Sequence, residues 1–198
     1  MNISGWGAYP RIETELLSPR SPERLVSNMP EGPFICRGLG RSYGDAALGR
    51  MTTLSTLALD RMISFDPATD ILTVEAGAPL WGIIEAFLPR GYFPPVVPGT
   101  KNVTVGGMVA SHVHGKNHHL AGGFGAAVES LTLICADGRP RICSRHLNSE
   151  LFHATIGGMG LTGIISQVSF RLDKVETCLL YTSPSPRDRT RSRMPSSA

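Results

Sequence analysis

The chain has 198 residues, 41% of them hydrophobic and 18% charged, enough for one sizeable core or two small ones and outside the composition of a disordered protein. Its net charge of +3 resides in Tyr181–Ala198, where Arg187, Arg189, Arg191 and Arg193 stand against Asp188 alone. The rest of the chain is neutral, so the basic balance does not point to nucleic acid, and no apolar run of about 18 residues is present to cross a bilayer.

The 22 glycines and 15 prolines point to tight turns and backbone-lined sites rather than a helical bundle. Cys36, Cys135, Cys143 and Cys178 show no CxxC spacing, which fits a reduced compartment better than a disulfide framework. Met1–Gly7 has neither a cationic region nor an apolar run, so no signal peptide is expected.

In chain order, Phe34–Cys36 reads as a short buried strand that runs into the glycine-rich Arg37–Asp45. Thr52–Leu59 reads as a second strand. Met62–Phe65 and Ile71–Glu75 flank Asp66-Pro67-Ala68-Thr69-Asp70, a hairpin turn. Pro79–Leu88 is the clearest helix: Leu80, Ile83, Ile84, Phe87 and Leu88 form one stripe, Pro79 suits its first turn and Gly91 its end. Tyr92–Thr100 is a proline-rich connection, and Val105–His112 a short helix. Val128–Cys135 and Arg139–Ser144 are strands around the turn Ala136-Asp137-Gly138. Asn148–Thr155 is a helix capped by Asn148 or Ser149 and stopped by Gly157-Gly158. Ile164–Leu172 alternates as a strand with one buried face. This irregular mixture predicts an α+β fold rather than a βαβ repeat. From Cys178 onward periodicity is lost, and the segment is expected to be a non-native tail, comparable to an expression scar, the natural protein continuing beyond about Thr177 with different residues.

Three features carry chemistry. In the first, Gly38, Gly40 and Gly44 let several backbone N–H groups converge as an anion-binding nest, to which Arg37 and Arg41 add charge and Ser42 and Tyr43 hydroxyls. The rival is a dinucleotide fingerprint, and Asp60 stands twenty residues after Gly40 as that rival needs. Against it, the spacing G-x-G-x-x-x-G is one residue too long, and Gly49 follows Gly44 too closely for a crossover helix. An ordinary glycine turn is the plainer alternative. In the second feature, Pro98-Gly99-Thr100 precedes Thr104-Val105-Gly106-Gly107, where two glycines opening a short helix present free N–H groups to an anion or, more plainly, allow close packing. The third is His114-Gly115-Lys116-Asn117-His118-His119. Four of the six histidines lie between His112 and His119, which suggests a metal. No Asp or Glu lies between Glu85 and Glu129, however, and the spacing matches no zinc motif, so no metal is expected. The alternatives are a packed or surface histidine run and a loop facing a flavin, whose reduced form Lys116 and the imidazoles would stabilise.

These three clusters, with Gly157–Ile165 and Ser4-Gly5-Trp6-Gly7, resemble the FAD-linked oxidases of the vanillyl-alcohol oxidase (p-cresol methylhydroxylase) fold, and within it the decaprenylphosphoryl-β-D-ribose 2′-oxidases. The likeness runs in one order from about Ser4 to Leu172. It implies a two-lobed FAD-binding domain over residues 1–177, with one lobe to about residue 100 and the second over 101–177, and no substrate domain. It implies that Arg37, Gly38, Leu39, Gly40, Arg41, Ser42, Tyr43, Gly44 and Asp45, with Thr104, Val105, Gly106 and Gly107, hold the pyrophosphate and adjoining parts of FAD. Gly99, Ser111, Val113, His114 and Ile165 would line the rest. His114, Gly115 and Lys116, with Tyr43 close by, would face the isoalloxazine and the substrate. Relatives that attach FAD covalently often use histidine where Arg41 stands, so non-covalent FAD is expected.

The implied reaction takes hydride from the 2′ carbon of a polyprenyl-phosphoryl ribose and passes electrons to a quinone or oxygen. The location expected is cytoplasmic, or peripheral at the inner membrane through the lipid-linked substrate. The family's substrate domain, with its active-site lysine, has no counterpart here, so no catalytic base is assigned and the chain alone is expected to be inactive. An aldonolactone or alditol oxidase of the same fold, and an FAD-binding fragment without catalysis, are the alternatives.

Overall fold

The computed structural model describes residues 1–176, and the expected tail from Cys178 lies outside them. The chain opens with three short strands, β1 (Asn2–Ser4), β2 (Arg11–Glu13) and β3 (Glu15–Leu17), and helix α1 (Pro22–Ser27), capped by the Ser21 hydroxyl. None of these was foreseen, because three-residue strands carry no periodicity. β4 (Phe34–Arg37) and β5 (Thr52–Ser55) follow. The strand expected over Thr52–Leu59 stops at Ser55, since the chain turns where Leu59 N–H donates to the Thr56 carbonyl at 2.9 Å.

β6 (Met62–Asp66) and β7 (Ile71–Glu75) form the expected hairpin. The Asp66 carboxylate builds its turn, accepting Ala68 N–H at 2.9 Å and the Thr69 hydroxyl at 2.7 Å. Helix α2 (Leu80–Phe87) buries Leu80, Ile83 and Phe87, then tightens through Leu88–Arg90 to Gly91 at φ 79°. β8 (Tyr92–Phe93) leads to α3 (Val105–Ala110), shorter than the expected Val105–His112 because His112 adopts φ 42°. A four-residue helix, α4 (His118–Ala121), was not anticipated. β9 (Val128–Ile134) and β10 (Pro140–Ser144) pair as expected, and α5 (Ser149–Thr155) follows. Asn148 does precede α5, but its side chain does not cap it: Nδ2 donates to the Ile142 carbonyl at 2.8 Å. β11 (Ile164–Arg171) and β12 (Asp173–Lys174) complete the described chain.

The fold is α+β. Five antiparallel strands lie in the order β10-β9-β11-β7-β6, and three parallel strands in the order β3-β5-β4; β1-β2 and β8-β12 are small ladders. The β6–β7 hairpin and α2 therefore stand with the later elements, and the two larger sheets draw their strands from either side of about residue 60. The main core joins the large sheet to α2, α3 and α5 through Val74, Ile83, Val105, Met108, Phe152 and Phe170. A second core joins Leu25, Leu54 and Leu59 to Ile134 and Ile164. The start of β11 is thus covered on both faces, Ile165 by the first core and Ile164 by the second, and the expectation of a single buried face holds only from Gln167 onward.

Candidate functional site

A cleft opens where the carboxyl end of β4 meets α3 and the ends of β7 and β11. Residues 38–51 return the chain from β4 to its parallel neighbour β5 without a helix, so the loop lacks the strand–turn–helix context of a dinucleotide fingerprint. Gly40 at φ 68° and Gly44 at φ 59° take the left-handed turns that fold it. Among the described residues, no N–H group from Gly38 to Asp45 donates to another protein group. Eight consecutive amides are thus left without a protein acceptor, the donor supply that an anion-binding nest requires.

The loop is braced from outside. Arg37 Nη2 donates to the Ser4 carbonyl at 2.8 Å and Nη1 to that of Ala47 at 3.4 Å. Trp6 N–H donates to the Ser42 carbonyl at 2.9 Å, and a Cβ on Gly5 would stand 2.6 Å from that oxygen. Arg41 Nη1 donates to the Leu39 carbonyl at 2.8 Å, with its guanidinium 5.0 Å from the centre of the Trp6 ring. Burial, and then the neighbouring Arg41, lower the Arg37 pKa, the two cations standing just before and within the run of free amides.

The opposite wall is α3. Here the structure corrects the expectation of free glycine amides. Val105 N–H donates to the Ala78 carbonyl at 2.9 Å and Gly106 N–H to the Ala76 carbonyl at 2.7 Å. Gly107 N–H goes to the Thr104 hydroxyl at 3.3 Å. The helix start is therefore satisfied within the protein, and the glycines serve close approach: a Cβ on Gly106 would lie 2.8 Å from the Ala76 Cβ, and one on Gly38 would collide with the Thr104 side chain. At these two points the cleft is walled by backbone.

Two adjoining cavities of about 70 and 270 Å³ share this cleft. The first is lined by Gly38, Ser42, Gly106, Gly107, Ser111 and Ile165, and the second by Gly38–Tyr43, Thr104, Gly107, Ser111 and Val113. Gly99, His114, Gly115 and Lys116 line a separate, wider cavity, where the loop docks on the proline-rich connection: Asn117 Nδ2 donates to the Pro95 carbonyl at 3.0 Å, and a Cβ on Gly115 would meet the Val97 carbonyl at 2.8 Å. Asp45 faces a fourth hollow with Pro33, Phe34 and Met51. Arg37 and Gly44 line none of these cavities, and Val105 is fully buried in the main core. Tyr43 is 76% exposed.

Cys36, Ala47, Thr56, Ala76, Ala110, Met159 and Gly160 also line the cleft and were not singled out. Small residues carry no chemical signature, although Cys36 stands directly before the glycine loop. Burial pushes the Cys36 thiol up to about 12. Among the described residues, no three His, Cys, Asp or Glu side chains converge as a metal site. His114 and His118 lie with ring centres 5.4 Å apart, and His112 Nδ1 accepts the Gly125 N–H at 3.2 Å.

Residues 26–144 match the family model described as FAD binding domain. The chain is 41% identical over 183 residues to the decaprenylphosphoryl-beta-D-ribose oxidase of Mycolicibacterium smegmatis, covering 88% of this chain and 40% of that protein. It is 30% identical over 185 residues to probable L-gulonolactone oxidase 4 of Arabidopsis thaliana, covering 83% and 30%. It is 23% identical over 192 residues to the mitochondrial L-galactono-1,4-lactone dehydrogenase 1 of Oryza sativa, covering 94% and 33%. The chain thus spans less than half the length of these relatives.

Proposed function

The chain belongs to the FAD binding domain family and its cofactor is FAD, and from that premise we propose that it is the cofactor-holding part of an FAD-dependent oxidoreductase that oxidises a sugar hydroxyl. The observation that carries this reading is the run of free amides from Gly38 to Asp45, with Arg37 just before it and Arg41 within it. A diphosphate needs several donors and positive charge at one point, and this loop supplies both.

On this reading residues 1–177 form a two-lobed domain of the p-cresol methylhydroxylase type. Gly38–Asp45 hold the diphosphate, and the stripped wall of Gly106, Gly107 and Ser111 lets flat ring systems lie against backbone. Thr104 orders that wall, while Val113 and Ile165 close it. Gly99, His114, Gly115 and Lys116 take the isoalloxazine end, where Lys116 and the imidazoles supply donors and positive charge. Tyr43 stands at the mouth. Bound there, FAD supplies a two-electron acceptor for an alcohol carbon. Arginine at position 41 offers no nucleophile, so the cofactor is held without a covalent bond. No residue of this chain is assigned as the base that takes the proton of the substrate hydroxyl.

The substrate we infer is the 2′-hydroxyl of a polyprenyl-phosphoryl ribose, with a quinone or oxygen as final acceptor and peripheral membrane association through the lipid. It is supported by the 41% identity to a protein named for that sugar. A second reading, an aldonolactone or alditol oxidase, is favoured by the similarity to L-gulonolactone oxidase 4. A third is an FAD-binding fragment without catalysis. In the test, the purified chain and a version extended to its relatives' length are compared. Both are expected to be yellow and to release all their flavin in acid. The extended protein alone is expected to bleach under polyprenyl-phosphoryl ribose. Bleaching only under lactones or alditols would favour the second reading, and a colourless chain would defeat all three.

A further inference from the structure

Helix α3 ends where the chain turns at His112, whose φ of 42° is left-handed, an uncommon place for a residue with a side chain. The residue is packed on three glycines. A Cβ on Gly123 would stand 2.5 Å from its Cε1, one on Gly125 2.9 Å from its Nδ1, and one on Gly157 3.3 Å from its Cβ. Nδ1 accepts the Gly125 N–H at 3.2 Å. Beside it, Phe124 N–H donates to the Val113 carbonyl at 2.8 Å, and His114 bridges to Gly123. His112 therefore closes the base of the loop 113–123, which carries His114, Gly115 and Lys116 to the wider cavity.

An imidazole accepts at Nδ1 only while it is neutral, with its proton on Nε2. The charged group on the same turn is Arg145, which donates Nη2 to the carbonyls of Gly125 and Ala126, both at 3.1 Å, in the peptides that follow the one facing His112. A proton on Nδ1 would turn that nitrogen into a donor facing the Gly125 N–H and set a second cation on this turn. α3, residues 123–126 and residues 156–160 contribute no ionisable side chain, and His114, next but one along the chain, lies against His118.

We propose that His112 is a positioning residue that, as a neutral imidazole, holds the base of the 113–123 loop and with it the place of His114 and Lys116, and that it lets go on taking up a proton. The functional consequence rests on reading the wider cavity as the flavin end of the site; the latch itself is a property of the protein alone.

His112→Asn is the discriminating variant. Its Oδ1 occupies the branch position of Nδ1, accepts without titrating, and asparagine tolerates the left-handed turn. The experiment is amide hydrogen exchange in the 198-residue chain without added cofactor, corrected for the intrinsic effect of pH, at about pH 8 and about pH 5, which bracket imidazole titration. Gly125 and Phe124 of the unaltered chain are expected to lose about tenfold in protection at the lower pH, the worth of roughly one net hydrogen bond. His112→Asn is expected to keep its protection at both values and His112→Ala to lack it at both. Unchanged protection in the unaltered chain, or the same loss in His112→Asn, overturns the proposal. Released-flavin fluorescence is read separately: a chain that takes up no FAD at either pH overturns the functional reading and leaves the exchange result to stand.

Discussion

The amide of Gly106 donates to the carbonyl of Ala76 across 2.7 Å, and only glycine allows that approach. This contact fixes α3 to the end of β7 and sets the width of the cleft. Gly106→Ala brings a Cβ to 2.8 Å from that of Ala76, tighter than real contacts allow, and overpacking of this kind costs about 1–3 kcal/mol. Urea denaturation is expected to show that loss and the purified protein to carry less FAD; unchanged midpoint and flavin content would refute the account of this wall.

Gly40→Ala tests the nest. At φ 68° the new Cβ is strained by about 1–2 kcal/mol and is driven onto the Arg37 guanidinium. Arg37 then loses its hold on Ser4, and FAD content is expected to fall further than stability does. Gly7 has ordinary φ and nothing within 4 Å of an added Cβ, so Gly7→Ala is the matched control and should change neither.

The turn between β9 and β10 carries an acid-sensitive contact. Asp137 sits at about 2, held below its ordinary 3.8 first by hydrogen bonds from Arg141 at 2.6 and 2.9 Å, then by the Arg139 amide. Because the folded value is depressed, the contribution to stability is complete above the unfolded value and is lost as pH falls from about 4 to about 2. Arg141→Gln is expected to move the carboxyl's NMR titration upward and to bring the loss of this contribution to a higher pH. An unmoved titration would assign the shift to the backbone alone.

Cys36 lines the cleft with its thiol at about 12, so little thiolate exists at neutral pH. Alkylation by iodoacetamide is expected to be slow there and to keep accelerating with pH beyond the ordinary thiol range, and FAD is expected to slow it further. Rapid labelling at neutral pH, or labelling indifferent to FAD, would contradict this placement.

The parts of the fold legible in the sequence were those with a long pattern or explicit turn chemistry. The stripe from Leu80 to Phe87 and the Asp66–Asp70 turn announced α2 and the β6–β7 hairpin. The first 33 residues were silent about the fold, because β1, β2 and β3 hold three residues each, β1 and β2 pairing with each other and β3 with the distant Thr52 and Leu54. In the site, Gly40 and Gly44 were readable because backbone torsion demands glycine there, and Gly38 because no side chain fits against Thr104. The role of Gly106 was half readable: its type signalled a close approach, but whether to a ligand or to Ala76 depends on packing across thirty residues of chain. Asn148 misled for a similar reason, since the carbonyl of Ile142 outcompetes the helix end for its side chain.

β11 pairs with β7 on one side and β9 on the other, and the two hairpins on either side share no ladder of their own. During synthesis both hairpins can zip as they emerge, because their partners are near in sequence. They can be joined only when Ile164–Arg171 arrives, with pairings as distant as Val74 to Val168. Gly163 and Ile165, which line the cleft, belong to that late segment. The wall of the cleft that Gly163 and Ile165 supply is therefore completed only once β11 has joined the two hairpins.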